Sequence, residues 1–121
     1  MAGKFCVSVT NAKNDTDRAT VGFVIANAAA GSDQETMVFL SNEGARLAVQ
    51  GYADDIHEEG FAPLRELMTS FVEAGGRLLV CSPCFKKRYA VDDTPLIEGA
   101  TIVGGATLVE FLAGGTPCVS Y

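Results

Sequence analysis

The chain has 121 residues, a length that predicts a single domain over residues 1–121. Hydrophobic residues make up 48% of it and charged residues 20%, values typical of a folded globular protein and not of a disordered chain. Its formal net charge of −6 argues against nucleic acid and against an anionic membrane surface as partners.

Nothing in the sequence predicts a membrane span or a secretory leader. The best span candidate, residues 21–30, is too short and contains Asn27. The N-terminal residues pass directly into strand-like Phe5-Cys6-Val7, without an apolar leader region or a cleavage site. We therefore expect a cytoplasmic protein whose four cysteines are reduced rather than paired in a disulfide framework.

Strand-like and helix-like segments alternate along the chain. The predicted strands, in chain order, are residues 4–10, 36–40, 77–80, 101–103 and 117–121. The predicted helices are residues 16–30 (capped by Asp15 or Thr16), 42–49 (capped by Ser41 or Asn42), 63–74 (with Pro63 first), 83–90 and 106–112. An acidic loop covers residues 51–61, and residues 92–95 form a turn. This alternation predicts a parallel sheet with helices on both faces.

Three polar loops follow predicted strands, at residues 11–15, 41–44 and 81–84. In parallel α/β folds, ligands gather at the carboxyl ends of the strands. Asn11 and Asn42 are therefore candidate hydrogen-bond donors to a ligand, with capping of their own loops as the alternative role.

The segment Cys81-Ser82-Pro83-Cys84 directly follows the third predicted strand and precedes Lys86, Lys87 and Arg88. Ser82 suits a helix N-cap and Pro83 suits the first helical position, which places Cys81 at a strand tip beside a helix start. The helix dipole and the three cations are expected to favour the Cys81 thiolate. This predicts a nucleophilic sulfur, with Cys84 as a resolving thiol or second sulfur carrier.

Charge is distributed unevenly around this segment. Residues 81–88 contain three of the nine cations and no acid, so the rest of the chain has six cations against fifteen acids, a net charge of −9. A small positive region on an acidic protein suits a small anionic ligand or the acidic tail of a partner protein.

Other interpretations of the cysteines remain open. Both thiols could be ordinary core residues, because free cysteine is among the most buried side chains. A structural zinc site would need about four ligands, and His57 with the distant Cys6 and Cys118 does not supply them. We expect Cys6 and Cys118 to lie in the core and His57 to be a surface residue. Gly104-Gly105 before a helix is only a weak indication of an anion site.

The segment Arg77-Leu78-Leu79-Val80-Cys81-Ser82-Pro83-Cys84-Phe85-Lys86-Lys87-Arg88 resembles the DsrE/DsrF-like family of small sulfur-handling proteins. The run Met37-Val38-Phe39-Leu40-Ser41 and the early strand and helix extend the similarity over nearly the whole chain. The resemblance implies a three-layer, flavodoxin-like α/β sandwich with a five-stranded parallel sheet. It also implies a homotrimer or homohexamer, and a persulfide carried on Cys81. Cys84 matches a second cysteine of stand-alone relatives, and Arg88 matches a basic position.

These observations predict a sulfur carrier that takes sulfane sulfur from a donor protein or small persulfide and passes it to an acceptor thiol. Lys86, Lys87 and Arg88 would attract anionic donors, and no metal or organic cofactor is expected. Two alternatives are a thiol-disulfide redox protein that uses Cys81 with Cys84, and a non-catalytic module that only binds a ligand.

Overall fold

The computed structural model describes residues 3–121. The strands are β1 (Lys4–Val9), β2 (Glu35–Leu40), β3 (Arg77–Cys81), β4 (Ala100–Val103) and β5 (Cys118–Ser120). The α-helices are α1 (Thr16–Gly31), α2 (Leu64–Glu73), α3 (Ser82–Arg88) and α4 (Gly105–Leu112). Short 3₁₀ helices cover Asn42–Ala48, Tyr52–Asp55 and Val91–Asp93. The predicted alternation of strands and helices is confirmed.

All five strands run parallel, in the order β4-β3-β2-β1-β5. Successive side chains of a strand point to opposite faces, so Leu78 and Val80 of β3 lie on one face and Leu79 and Cys81 on the other. Helices α1, α2 and α3 pack on the first face, and α4 packs on the second. The predicted three-layer α/β sandwich is therefore confirmed.

The two faces have cores of different size. The first-face core contains Phe23 of α1 and Phe71 of α2, whose rings meet edge to face with centroids 6.2 Å apart, and the fully buried Phe85 of α3. The second-face core is smaller and centres on Phe111 of α4. The central strand β2 is buried on both faces from Thr36 to Leu40, which explains its almost continuously apolar sequence.

Two predicted helices between β2 and β3 need correction. Residues 42–48 form a 3₁₀ helix rather than an α-helix, and Asn42 adopts a left-handed conformation with φ 53°. Gly44 in this segment lies so close to β1 that an added Cβ would overlap the Val9 carbonyl oxygen. Pro63 is the residue before α2 and not its first residue, because its ψ of 140° is extended.

The boundary at the cysteine segment also differs from the prediction. α3 begins at Ser82, and Cys81 itself is the N-cap residue, with φ −64° and ψ 117°. β3 therefore passes into α3 without an intervening loop residue. Any displacement of α3 consequently moves the backbone of Cys81 directly.

Candidate functional site

Cys81 lies at the carboxyl end of β3, paired in register with Val103 at the end of β4. After β3 the chain enters a helix on the first face, whereas after β4 it enters α4 on the second face. The ends of β3 and β4 therefore form a topological switch point, the position where open α/β sheets leave a crevice for ligands. The structure places Cys81 at the edge that the sequence predicted.

The Cys81 side chain is half-buried on the second face. It packs against the small core that includes Leu79 and Phe111, beside Val103 and Leu108. The apolar run Leu78-Leu79-Val80 fixes this orientation, because its alternating side chains fill both cores and leave Cys81 on the α4 side. The thiol is thus held by packing and is still accessible at the sheet edge.

Ionisation of Cys81 is governed by burial and by Cys84. Burial raises the pKa of the Cys81 thiol above its ordinary value of 9.0. The Cys84 backbone N–H, which faces the Cys81 sulfur, lowers that pKa, and the neighbouring Cys84 thiol raises it. The Cys81 side chain makes no capping hydrogen bond to α3. The expectation of a lowered pKa is therefore wrong, because burial outweighs the helix start.

Cys84 is half-buried in the first turn of α3 and packs against the first-face core. Its thiol is close enough to Cys81 to influence the ionisation of that residue. The structure therefore brings the two predicted site cysteines together, and both are free thiols.

The three predicted cations do not form one group. Lys86 and Lys87 are exposed, as a positive region for anionic donors requires. The Arg88 side chain is only 12% exposed, and its Nε donates to Glu43 Oε2 at 2.8 Å while Nη1 donates to the Cys84 carbonyl oxygen at 3.0 Å. Arg88 is thus engaged inside the protein, and attraction of an anion is left to the two lysines.

Glu43 is a residue that the sequence did not single out. Its Oε1 accepts from Arg46 Nε at 2.8 Å while Oε2 accepts from Arg88, and the two guanidinium groups hold the pKa of Glu43 below its usual value. Arg46 also donates to the Tyr89 hydroxyl at 3.2 Å. This network connects the segment after β2 with α3. The spacing of Glu43 and Arg46 indicates their pair, but no local pattern indicates Arg88.

The two predicted asparagines serve their own loops. Asn11 Oδ1 accepts a 2.6 Å hydrogen bond from Asn14, and Asn42 Oδ1 accepts one of 3.1 Å from Ser41. Both residues follow strands at the carboxyl edge, as predicted. Their amides are arranged for the loop-capping alternative, and a role in binding a ligand stays a prediction.

The remaining candidates lie away from Cys81. His57 is exposed and its Nε2 lies 2.8 Å from the Phe61 carbonyl oxygen, in agreement with a surface role. Within residues 3–121, no three His, Cys, Asp or Glu side chains are grouped so that they could hold a metal ion. Cys6 is fully buried, as predicted, but Cys118 is exposed on the edge strand β5, so its assignment to the core is wrong.

Gly104 is the N-cap residue and Gly105 the first residue of α4, directly after β4 and at the same edge of the sheet as Cys81. A cavity of about 430 Å³ lies elsewhere, between α2 and the segment before β4, with Leu47, Met68 and Ile97 among its lining residues. Cys81 does not line this cavity. The geometry of the strand ends, rather than cavity volume, therefore identifies the cysteine site.

Across residues 3–121, no helix has the length and apolar character required to cross a membrane.

Known proteins share this fold and part of this sequence. The crystal structure of the ychN protein from E. coli superimposes with a TM-score of 0.79 at 16% identity, covering 98% of this chain and 99% of that one. The protein of unknown function MTH1491 from Methanobacterium thermoautotrophicum superimposes with a TM-score of 0.70 at 14% identity over the full length of both chains. These structural similarities support the α/β fold with a five-stranded parallel sheet.

A curated relative, the uncharacterized protein MJ0760 of Methanocaldococcus jannaschii, is 27% identical over 109 residues. The match covers 90% of this chain but only 39% of the relative. The model of the DsrE/DsrF-like family matches residues 3–117, nearly the whole chain. The protein therefore belongs to the DsrE/DsrF-like family.

Proposed function

We propose that this protein carries sulfane sulfur as a persulfide on Cys81 and transfers it to an acceptor thiol. Family membership supports a role of the sulfur-relay type. The observation that carries the assignment to Cys81 is its position at the switch point between β3 and β4, half-buried but reachable, with the Cys84 backbone N–H facing its sulfur.

The transfer is a pair of nucleophilic displacements at sulfur. The Cys81 thiolate attacks the outer sulfur of a donor persulfide, a new S–S bond forms, the donor S–S bond breaks, and the donor leaves as a thiolate. An acceptor thiolate then attacks the outer sulfur of the Cys81 persulfide and releases Cys81 as a thiolate. Each step moves one neutral sulfur atom, so no net oxidation occurs and no redox cofactor is required.

The protein environment has three effects on these steps. Burial keeps most of Cys81 in the thiol form at neutral pH, which limits reaction with unspecific oxidants. The Cys84 N–H favours the thiolate once it forms. The exposed Lys86 and Lys87 raise the local concentration of anionic donors.

The proposal also covers assembly and location. We propose a homotrimer or homohexamer in the cytoplasm, where the thiols would stay reduced. One eight-residue helix covers the second face of the sheet, and its Val109 side chain is 67% exposed, which supports contact with further copies. Size-exclusion chromatography with light scattering tests this part, and a monomer at micromolar concentration would contradict it.

Intact mass after brief exposure of the reduced protein to a persulfide donor tests the carrier function. One added sulfur raises the mass by about 32 Da. We expect this gain in the wild-type protein and in Cys84→Ser, and its loss in Cys81→Ser. The added mass must also disappear on incubation with a small acceptor thiol. A gain that persists in Cys81→Ser would overturn the assignment.

A thiol-disulfide redox function is a second candidate, because the Cys84 thiol lies close to Cys81. It predicts a disulfide between Cys81 and Cys84, seen after mild oxidation as a loss of about 2 Da in the tryptic peptide of residues 78–86 and abolished by replacing either cysteine. It also predicts that Cys84→Ser abolishes activity, whereas the carrier function predicts that Cys84→Ser still accepts sulfur. If Cys81 gains no sulfur and the peptide of residues 78–86 forms no disulfide, a binding module becomes the better account.

A further inference from the structure

A second pair of cysteines connects the first strand of the chain with the last. Cys6 of β1 and Cys118 of β5 are register partners in neighbouring parallel strands, so their side chains point to the same face. Adjacent strands lie about 4.7–4.9 Å apart, and the Cα atoms of a disulfide usually lie about 4.4–6.8 Å apart. The backbone spacing of this pair thus already suits a disulfide bond.

The two thiols differ in access to solvent. Cys6 is fully buried in the second-face core, whereas Cys118 is exposed on an edge strand of three residues. Burial, followed by the contact with Cys118, raises the pKa of Cys6 to about 12. Cys6 therefore does not react with a dissolved oxidant by itself, and Cys118 is the thiol that such a molecule can reach.

We propose that Cys118 and Cys6 are an oxidisable thiol pair, in which a hydroperoxide oxidises Cys118 and Cys6 then closes a disulfide bond. This pair is separate from Cys81 and Cys84, because Cys6 and Cys81 lie on non-adjacent strands and toward opposite ends of the sheet. The inference does not depend on the proposed carrier function.

The reaction balances with hydrogen peroxide as the oxidant. The Cys118 thiolate attacks one peroxide oxygen, the O–O bond breaks, and the departing hydroxide takes up a proton to become water. The Cys6 sulfur then attacks the sulfur of the resulting sulfenic acid, the S–O bond breaks, and a second water leaves with the Cys6 proton. Two thiols lose two protons and two electrons, and one peroxide becomes two waters.

The position of β5 makes such a bond reversible. Disulfide Cβ atoms lie about 3.5–4.5 Å apart, slightly closer than neighbouring strands, so β5 must move toward β1. Within residues 3–121, β5 pairs only with β1, at the edge of the sheet, and can make this shift. The strain that remains makes the bond easier to reduce than an unstrained structural disulfide.

Mass spectrometry of the full chain with Cys81→Ser and Cys84→Ser tests the proposal. Mild hydrogen peroxide is expected to lower the intact monomer mass by about 2 Da, and a thiol reductant to restore it. Trypsin then places Cys6 in the peptide of residues 5–13 and Cys118 in the peptide of residues 89–121. A non-reducing digest is expected to contain these two peptides joined.

Two further variants exclude other products. Adding Cys118→Ser to the protein that already carries Cys81→Ser and Cys84→Ser must abolish the 2 Da loss. Adding Cys6→Ala must leave Cys118 with one extra oxygen, a gain of about 16 Da, which dimedone traps. If the Cys6→Ala protein fails to fold, the presence or absence of the disulfide-linked peptides in the non-reducing digest tests the proposal by itself. A dimer linked through Cys118, or Cys118 oxidised to higher acids while Cys6 stays a free thiol, would overturn the proposal.

Discussion

Arg88 donates from Nε to Glu43 Oε2 at 2.8 Å, and this bond connects the helix after Cys81 with the segment after β2. Arg88 Nη1 also donates to the Cys84 carbonyl oxygen. The ion pair therefore supports the helix whose first turn carries the Cys84 N–H toward Cys81. We infer that Glu43 is a positioning residue for the site rather than a residue that contacts substrate.

Replacement of Glu43 by Gln should lower stability in a pH-dependent way. Arg88 and Arg46 hold the pKa of Glu43 below its ordinary value of 4.5 in the folded protein. The resulting stabilisation is present above that ordinary value and is lost as the pH falls through the lowered folded pKa. The melting temperatures of the wild type and of Glu43→Gln should thus differ clearly at pH 7 and much less near pH 3.

The exposed Glu110, which has no ion pair within residues 3–121, provides the control Glu110→Gln. An equal difference at both pH values would argue against the ion pair.

The alkylation rate of Cys81 should increase with pH, and the midpoint of this increase should lie above pH 9.0, because burial raises the pKa of the thiol. In Cys84→Ala the midpoint should fall below that of the wild type, since the neighbouring thiol is removed and the backbone N–H remains. Iodoacetamide labelling is followed in the tryptic peptide of residues 78–86, which excludes the exposed Cys118, and fragment ions of this peptide distinguish labelled Cys81 from labelled Cys84. A midpoint that stays the same or rises in Cys84→Ala would contradict this assignment.

Lys86 and Lys87 should accelerate the reaction of Cys81 with anions specifically. Replacing both lysines by Gln should slow the reaction with an anionic aromatic disulfide at low salt, by less than about tenfold, because two exposed charges steer weakly. A neutral dipyridyl disulfide should react at an unchanged rate, and high salt should remove the difference. Lys4→Gln, at the amino end of β1 and so at the opposite end of the sheet from Cys81, is the control for loss of a positive charge elsewhere. Equal slowing with both reagents would instead indicate a structural effect.

Gly44→Ala should destabilise the protein, because a Cβ at residue 44 overlaps the Val9 carbonyl oxygen. We expect a loss of roughly 1–3 kcal/mol in the free energy of unfolding, the usual range for overpacking. Gly31→Ala is the control, since a Cβ there meets no atom of residues 3–121 within 4 Å. Urea unfolding of both variants measures the difference. Similar stability of the two variants would show that the segment after β2 can move away from β1.

The sequence predicted those parts of the fold and site that depend on neighbouring residues. The apolar run Leu78-Leu79-Val80 and the following Ser82-Pro83 were sufficient to place Cys81 at a strand tip before a helix. The order of the strands in the sheet could not be inferred from the sequence, because it depends on contacts between distant segments. The pairing of Cys6 with Cys118 was therefore not predicted. The bond from Arg88 to Glu43 spans 45 positions and was missed for the same reason. The pKa of Cys81 was expected in the wrong direction because burial depends on the packing of α4 and β4, which sequence spacing does not reveal.

The pairing of β5 with β1 has a kinetic consequence. Its register joins residues more than a hundred positions apart, so this ladder closes the longest loop of the sheet and we expect it to form late in folding. In the part of the chain that the structure describes, β5 has three residues and one neighbouring strand, and its local opening should require less free energy than global unfolding. Amide hydrogen exchange should therefore be faster at Tyr121, which donates to the Ser8 carbonyl oxygen, than in β2. Each local opening of β5 would briefly expose Cys6. The opening rate of this short strand would therefore determine how often the most deeply buried thiol is exposed to solvent.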